Sequence, residues 1–309
     1  MTASNPPRDE SLHESFHGPG GPPAPGARLD STAHIMSSIG TQLAGQLSLV
    51  SLSGGRRPAP PATPALVLVA HGSRDPRALS TVRALMDRVR ELRPRLSVRL
   101  GHIELNEPLL PDTLAGLGDA DAVLVPLLLS PGYHVKQDIP QMAAAAPARA
   151  RVAAPLGPHP LLVETLYARL VEAGWPGRTG TDDDLRRTGA VVLAAAGSRD
   201  PDSAAGTRRT ARLLADRLGV PVLPAYASAA RPTVPAALRA LAARGRHRVA
   251  VASCFTAPGR FATRCAEAAP WIASAPLGDH PVMARLVLHR YDRALAAPAP
   301  PARDARVPA

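Results

Sequence analysis

"ALVLVAHGSRDP", Ala65 to Pro76, is the stretch from which the rest of the chain can be read. Its six leading apolar residues run without polar alternation, the pattern of a strand buried on both faces of a parallel sheet. The run ends in a Gly-Ser turn, and helical spacing over 77–92 follows. The same order returns downstream as "AVVLAAAGSRDP", Ala190 to Pro201, with Gly72 to Pro76 repeated as Gly197 to Pro201 and His71 replaced by Ala196. Self-similarity of this kind marks a duplicated unit, and the one exchanged residue raises the question of what the imidazole does.

Outward from the first strand, further strands are expected at "LSVRLGHI" (96–103), "DAVLVPLLL" (121–129) and "ARVAAP" (150–155), separated by helical stretches near 109–117, 136–146 and 160–173. The second copy offers "VPVLPAY" (220–226), "HRVAVASCF" (247–255) and "APWIASAP" (269–276), and "PLGPHP" (155–160) returns as "PLGDHP" (276–281). Strands alternating with helices imply an α/β fold. We expect two tandem flavodoxin-like or Rossmann-like parallel-sheet domains facing each other across a cleft. The expected boundaries are an N-terminal domain over 64–175, a polar linker over 176–189 and a second domain over 190–296. The Pro-, Gly- and Ser-rich ends, 1–63 and 297–309, cannot bury enough apolar surface to offset chain entropy and are expected to be disordered.

A chain of 309 residues suits two domains of this size. Lys136 is the only lysine, so arginine carries the formal net charge of +11. Beside abundant Ala, Pro and Gly, that arginine bias points to genome composition more than to a polyanion. With aromatics at 3%, no basic stripe interleaved with stacking rings marks a nucleic-acid surface. A basic field does suit a small polycarboxylate. Cys254 and Cys265 have neither the spacing of a zinc or iron–sulfur site nor the density of a secreted disulfide scaffold, so a reduced, cytoplasmic protein is expected. No apolar run reaches the roughly 18 residues of a membrane span.

Duplication lets the chain be compared with itself. Features kept in both copies, the GSRDP turns and His159 with its counterpart His280, read as scaffold. Features held by one copy are candidates for chemistry. His71 becomes Ala196, His134 becomes Phe261, Tyr133 becomes Arg260, Lys136 becomes Thr263, Asp138 becomes Cys265, Glu104 becomes Ser228 and Glu107 becomes Arg231. These exchanges cluster in three segments that follow strand ends, where parallel sheets bind ligands. Two imidazoles with one or two carboxylates suit a borderline divalent metal such as Fe, Co, Ni or Zn, and an imidazole also serves as a base.

Taken together, "LVLVAHGSRDP", "ELNEPLLPDTL", "VPLLLSPGYHVKQDIP" and "PLGPHP" resemble the sirohydrochlorin chelatases of the class II chelatase superfamily, in its long, tandem form. The resemblance covers about 65–295. It implies ATP-independent insertion of a divalent metal, Fe2+ or Co2+, into sirohydrochlorin, an acidic tetrapyrrole with eight carboxylates, with no organic cofactor. It places the base and first metal ligand on His71, the second ligand on His134, and a catalytic carboxylate on Glu104 or Glu107. The stretch Leu129, Ser130, Pro131, Gly132, Tyr133 would line the macrocycle, with Arg74 and Glu107 also facing substrate. The second half lacks the metal-site pattern and is expected to close over the first as a pseudo-dimer within a monomer. Iron, for siroheme, is favoured over cobalt, for cobalamin. A carrier of metal or tetrapyrrole would use the same residues. A histidine phosphatase is disfavoured because Ala70 stands where an arginine is required.

Overall fold

The computed structural model describes residues 63–177 and 183–297, and Gln42 besides. The expected disordered extension over 1–63 and tail over 297–309 therefore lie almost wholly outside the described residues, as does part of the linker.

Each repeat forms a four-stranded parallel sheet. The first contains β1 (Ala65–Ala70), β2 (Val98–His102), β3 (Asp121–Pro126) and β4 (Arg149–Val152) in the order β2-β1-β3-β4. The second contains β5 (Gly189–Ala195), β6 (Val222–Tyr226), β7 (Arg248–Cys254) and β8 (Ile272–Ala273) in the matching order β6-β5-β7-β8. Every residue of β1 and β5 is buried, as their unbroken apolar runs require. The helices are α1 (Pro76–Leu92), α2 (Leu110–Ala115), α3 (Ile139–Ala145), α4 (Pro160–Glu172), α5 (Asp183–Thr188), α6 (Pro201–Leu218), α7 (Val234–Ala242), α8 (Arg260–Glu267) and α9 (Pro281–Ala296). A single π-helical turn, His134–Asp138, leads directly into α3. Two expectations are refined: the linker contains α5, and β8 is only two residues long.

The GSRDP turns are built identically. Ser73 Oγ accepts from the Asp75 amide and Ser198 Oγ from the Asp200 amide, both at 3.1 Å. Asp75 and Asp200 in turn cap α1 and α6, accepting from the amides of Arg77 and Asp202 at 3.0 and 2.9 Å. Gly72 and Gly197 sit at φ +104° and +90°, and a Cβ at either would overlap the carbonyl oxygen of Glu104 or Ser228. The scaffold reading of the shared pentapeptide holds in both halves.

The last helix of each half crosses to the other half's sheet. Helix α4 packs on α6 and β7, while α9 packs on α1, α4 and β3. Ion pairs follow the exchange: Glu164 on α4 holds Arg217 on α6 at 2.7 Å, and Asp292 on α9 holds Arg93 at 2.7 Å. The Tyr291 hydroxyl donates to the Pro64 carbonyl at 2.6 Å. One buried cluster accordingly contains Leu66 from the first sheet, Leu193 from the second and Met283 from α9. Sequence repeat and packing unit thus differ, because each sheet is covered by a helix from the other repeat. Both crossing helices begin at the shared histidines. The Nδ1 atoms of His159 and His280 accept from the amides of Leu161 and Val282 at 3.1 and 3.2 Å. A ring nitrogen that accepts a hydrogen bond must be unprotonated. Burial favours the same state, pushing His159 down to about 4 and lowering His280 as well.

Candidate functional site

With strand order β2-β1-β3-β4, the connections from β1 and β3 leave in opposite directions, and a crevice opens beyond their carboxyl ends. His71 is the first residue after β1, Glu104 lies just after β2, and His134 opens the π-helical turn after β3. The backbone brings the first two together: the Glu104 amide donates to the His71 carbonyl at 3.0 Å, and the Ser73 amide donates to Asn106 Oδ1 at 2.7 Å.

The two imidazoles meet edge to face with ring centroids 4.7 Å apart. Each has its own carboxylate. His71 Nδ1 lies 3.3 Å from Glu104 Oε1, and His134 Nδ1 lies 2.6 Å from Asp138 Oδ2. A carboxylate only accepts, so in the neutral ring the short second contact places the proton on His134 Nδ1 and the lone pair on Nε2, the form in which an imidazole binds a metal. The His71–Glu104 contact is less aligned: His71 Nδ1 is shielded from solvent and makes no hydrogen bond, although the side chain as a whole is 43% exposed. Among the described residues, no three His, Cys, Asp or Glu side chains are already grouped as an ion cage.

The two imidazoles open on a cavity of about 1090 Å³ lined by both halves. The contacts at its mouth are reciprocal. A Cβ on Gly132 would lie 3.7 Å from Ser198 Oγ, and one on Gly259 would lie 3.9 Å from Ser73 Oγ, so each turn serine faces the glycine loop of the other half. Ser130 Oγ and Ser203 Oγ share a hydrogen bond at 2.8 Å. Lys136, on the π-helical turn, reaches Asp200 and Asp202 of the second half, each at 2.7 Å. Its ammonium is held above the ordinary lysine value by those hydrogen bonds, Asp200 first.

The structure brings together His71, His134 and Glu104, and lines the cavity with Arg74, Leu129, Ser130, Gly132 and Tyr133. Pro131 instead lies against Gly206 of α6. Glu107 turns away to accept from the Leu109 amide at 3.1 Å, holding the start of α2. Of the two candidates, Glu104 is the carboxylate beside His71. Sequence reasoning noted Asp138 and Lys136 only as exchanged positions and did not use Asn106. The signal for Asp138 was its i,i+4 spacing from His134, which places both on one side of a helical turn.

The CbiX family model matches residues 65–173 and again residues 190–294. The sirohydrochlorin ferrochelatase of Bacillus subtilis (strain 168) is 28% identical over 180 residues, covering 54% of this chain and 64% of that protein. The sirohydrochlorin cobaltochelatase of Priestia megaterium is 29% identical over 164 residues, covering 48% and 49%. That of Methanococcus maripaludis is 37% identical over 81 residues, covering 25% and 56%. The chain thus spans about half to two thirds of the length of these curated relatives. Among solved structures, SirB from Bacillus subtilis with Fe3+ superposes with a TM-score of 0.61 at 24% identity, covering 76% of this chain and 96% of that one, which establishes a shared fold.

Proposed function

The chain belongs to the CbiX family, and from that premise we propose that it is a sirohydrochlorin chelatase. It exchanges one divalent cation for the two N–H protons at the centre of the tetrapyrrole. The observation that carries this reading is the convergence of His71 and His134, each beside a carboxylate, at the carboxyl ends of β1 and β3 and within a cavity large enough for a macrocycle.

The residues match the needs of the reaction. The incoming ion must shed water and then leave the protein, so it wants few, accessible donors in place of the closed four-ligand cage of a structural zinc site. His134, oriented by Asp138, offers Nε2 as one donor, and His71 offers a second. Glu104 sets a carboxylate oxygen 3.3 Å from His71 Nδ1, where it orients the imidazole. In this reading His71 serves as both ligand and base. Arg74 and the Leu129–Tyr133 loop hold the substrate edge, and the second half forms the opposite wall, completing within one chain what a two-subunit arrangement would otherwise provide. Two imidazoles and a carboxylate accept Fe2+ and Co2+ alike. The relatives include both a ferrochelatase and cobaltochelatases; Fe2+, with siroheme as the product, is the ion carried in this proposal because siroheme is the more widely required product.

The test is direct: purified protein is mixed with sirohydrochlorin and Fe2+ or Co2+, and the visible absorption of the macrocycle is followed. Acceleration over the protein-free rate is expected. Tight binding of metal or tetrapyrrole with no acceleration for either ion would instead identify a carrier.

A further inference from the structure

The loss of the metal site from the second half is accompanied by a gain of charge. Where the first half places Tyr133 and Gln137, the second places Arg260 and Arg264. Both arginines are exposed and line the cavity that His71 and His134 line. Neither has a carboxylate partner among the described residues; Arg260 meets only the ring of Phe261, its guanidinium carbon 5.4 Å from the centroid. Arg77, in the same cavity, is by contrast held by Asp75 at 2.7 Å.

Three facts argue that these arginines are kept for a ligand. Arg260 is the first residue of α8, where the helix dipole disfavours a cation, so its charge does not serve the helix. Arg260 and Arg264 are separated by one helical turn and therefore present two guanidinium forks on one side of α8. Gly259, immediately before them, lies against Ser73, which anchors the pair to the wall beside the His71 turn. Two adjacent guanidinium forks without anionic partners fit carboxylates, which they bind with paired hydrogen bonds.

We infer that Arg260 and Arg264 form a subsite for the peripheral carboxylates of the tetrapyrrole and set specificity for a polycarboxylate macrocycle. This inference rests on the chelatase reading. In it, the two halves have divided the reaction: the first holds the ion, and the second holds the charged rim of the macrocycle over it.

The test compares wild type with Arg260→Gln, Arg264→Gln, the double variant and the double Lys replacement. Its readouts are fluorescence titration with metal-free sirohydrochlorin and steady-state metallation. The double Gln variant is expected to raise Kd and KM together by roughly tenfold or more, with kcat within about twofold and the thermal midpoint unchanged. The Lys pair should restore part of the affinity. A methyl-esterified macrocycle should bind wild type and the Gln variant equally. A folded double Gln variant with wild-type Kd and KM would overturn the subsite while leaving the chelatase reading intact. A wild-type protein that neither binds nor metallates sirohydrochlorin would overturn both.

Discussion

In the first half the turn after β1 carries His71, and in the second it carries Ala196, yet around both residues the backbone makes the same contacts. The Glu104 amide reaches the His71 carbonyl and the Ser228 amide reaches the Ala196 carbonyl, each at 3.0 Å. The turn geometry therefore does not depend on the imidazole. The same holds after the third strand, where His134 and Asp138 face Phe261 and Cys265. An ion-competent pair in one half occupies positions that in the other are apolar, with Cys265 buried in the core beneath α8. The first half also opens this helix with a π-helical turn, a feature frequent at functional sites, whereas α8 is α-helical from its first residue. The difference teaches that the scaffold and the metal chemistry are separable properties of this repeat.

That separation can be broken experimentally. Within the exchanged pair after the third strand, His134→Ala should reduce metallation by about 10²- to 10⁴-fold, while Phe261→Ala leaves catalysis far less changed; steady-state kinetics on both would check this. Equal losses from the two would erase the asymmetry. On the scaffold side the halves should behave alike. Leu66→Ala in β1 and Leu193→Ala in β5, both fully buried in one shared cluster, should each destabilise the whole protein by about 2–5 kcal/mol in a single denaturant transition. Two separate transitions would contradict the helix exchange. Asp138→Ala should weaken metal binding or metallation by roughly 10- to 100-fold through loss of His134 orientation, and its counterpart Cys265 offers no equivalent effect.

The smallest effect concerns the two capping histidines. His159 is held near 4 in the folded protein, below its unfolded value of about 6.5. Between those values the unfolded chain takes up a proton that the folded chain refuses, so stability is lost as pH falls from about 6.5 to 4. His159→Asn keeps a capping side chain without the titration. Denaturant midpoints across that range should therefore fall less steeply in the variant than in wild type; an unchanged slope would remove the cap from the account of acid stability.

Much of this was legible in the residues. The unbroken apolar runs of β1 and β5 announced buried parallel strands, and the repeat of GSRDP announced the duplication. Because sheet topology gathers strand ends, the exchanged segments could be assigned to one crevice before any distance was known. What stayed hidden was pairing across the chain. The spacing of Leu162, Leu166 and Leu170 shows that α4 has a buried face, and says nothing about which sheet receives it. Glu104 and Glu107 are chemically equivalent in sequence, and only the loop's path turns one toward His71 and the other toward the Leu109 amide. Arg260 read as a lost tyrosine until its place in the shared cavity gave the substitution a purpose.

The most direct measurement is metallation of sirohydrochlorin by His71→Ala, alone and combined with Ala196→His and Phe261→His, followed by visible absorption with Fe2+ and Co2+. His71→Ala is expected to fall to the protein-free rate, and the added histidines should not restore it, because the second half lacks counterparts of Glu104 and Asp138. Wild-type rates from the His71→Ala protein would contradict the assignment of the chemistry to the first half.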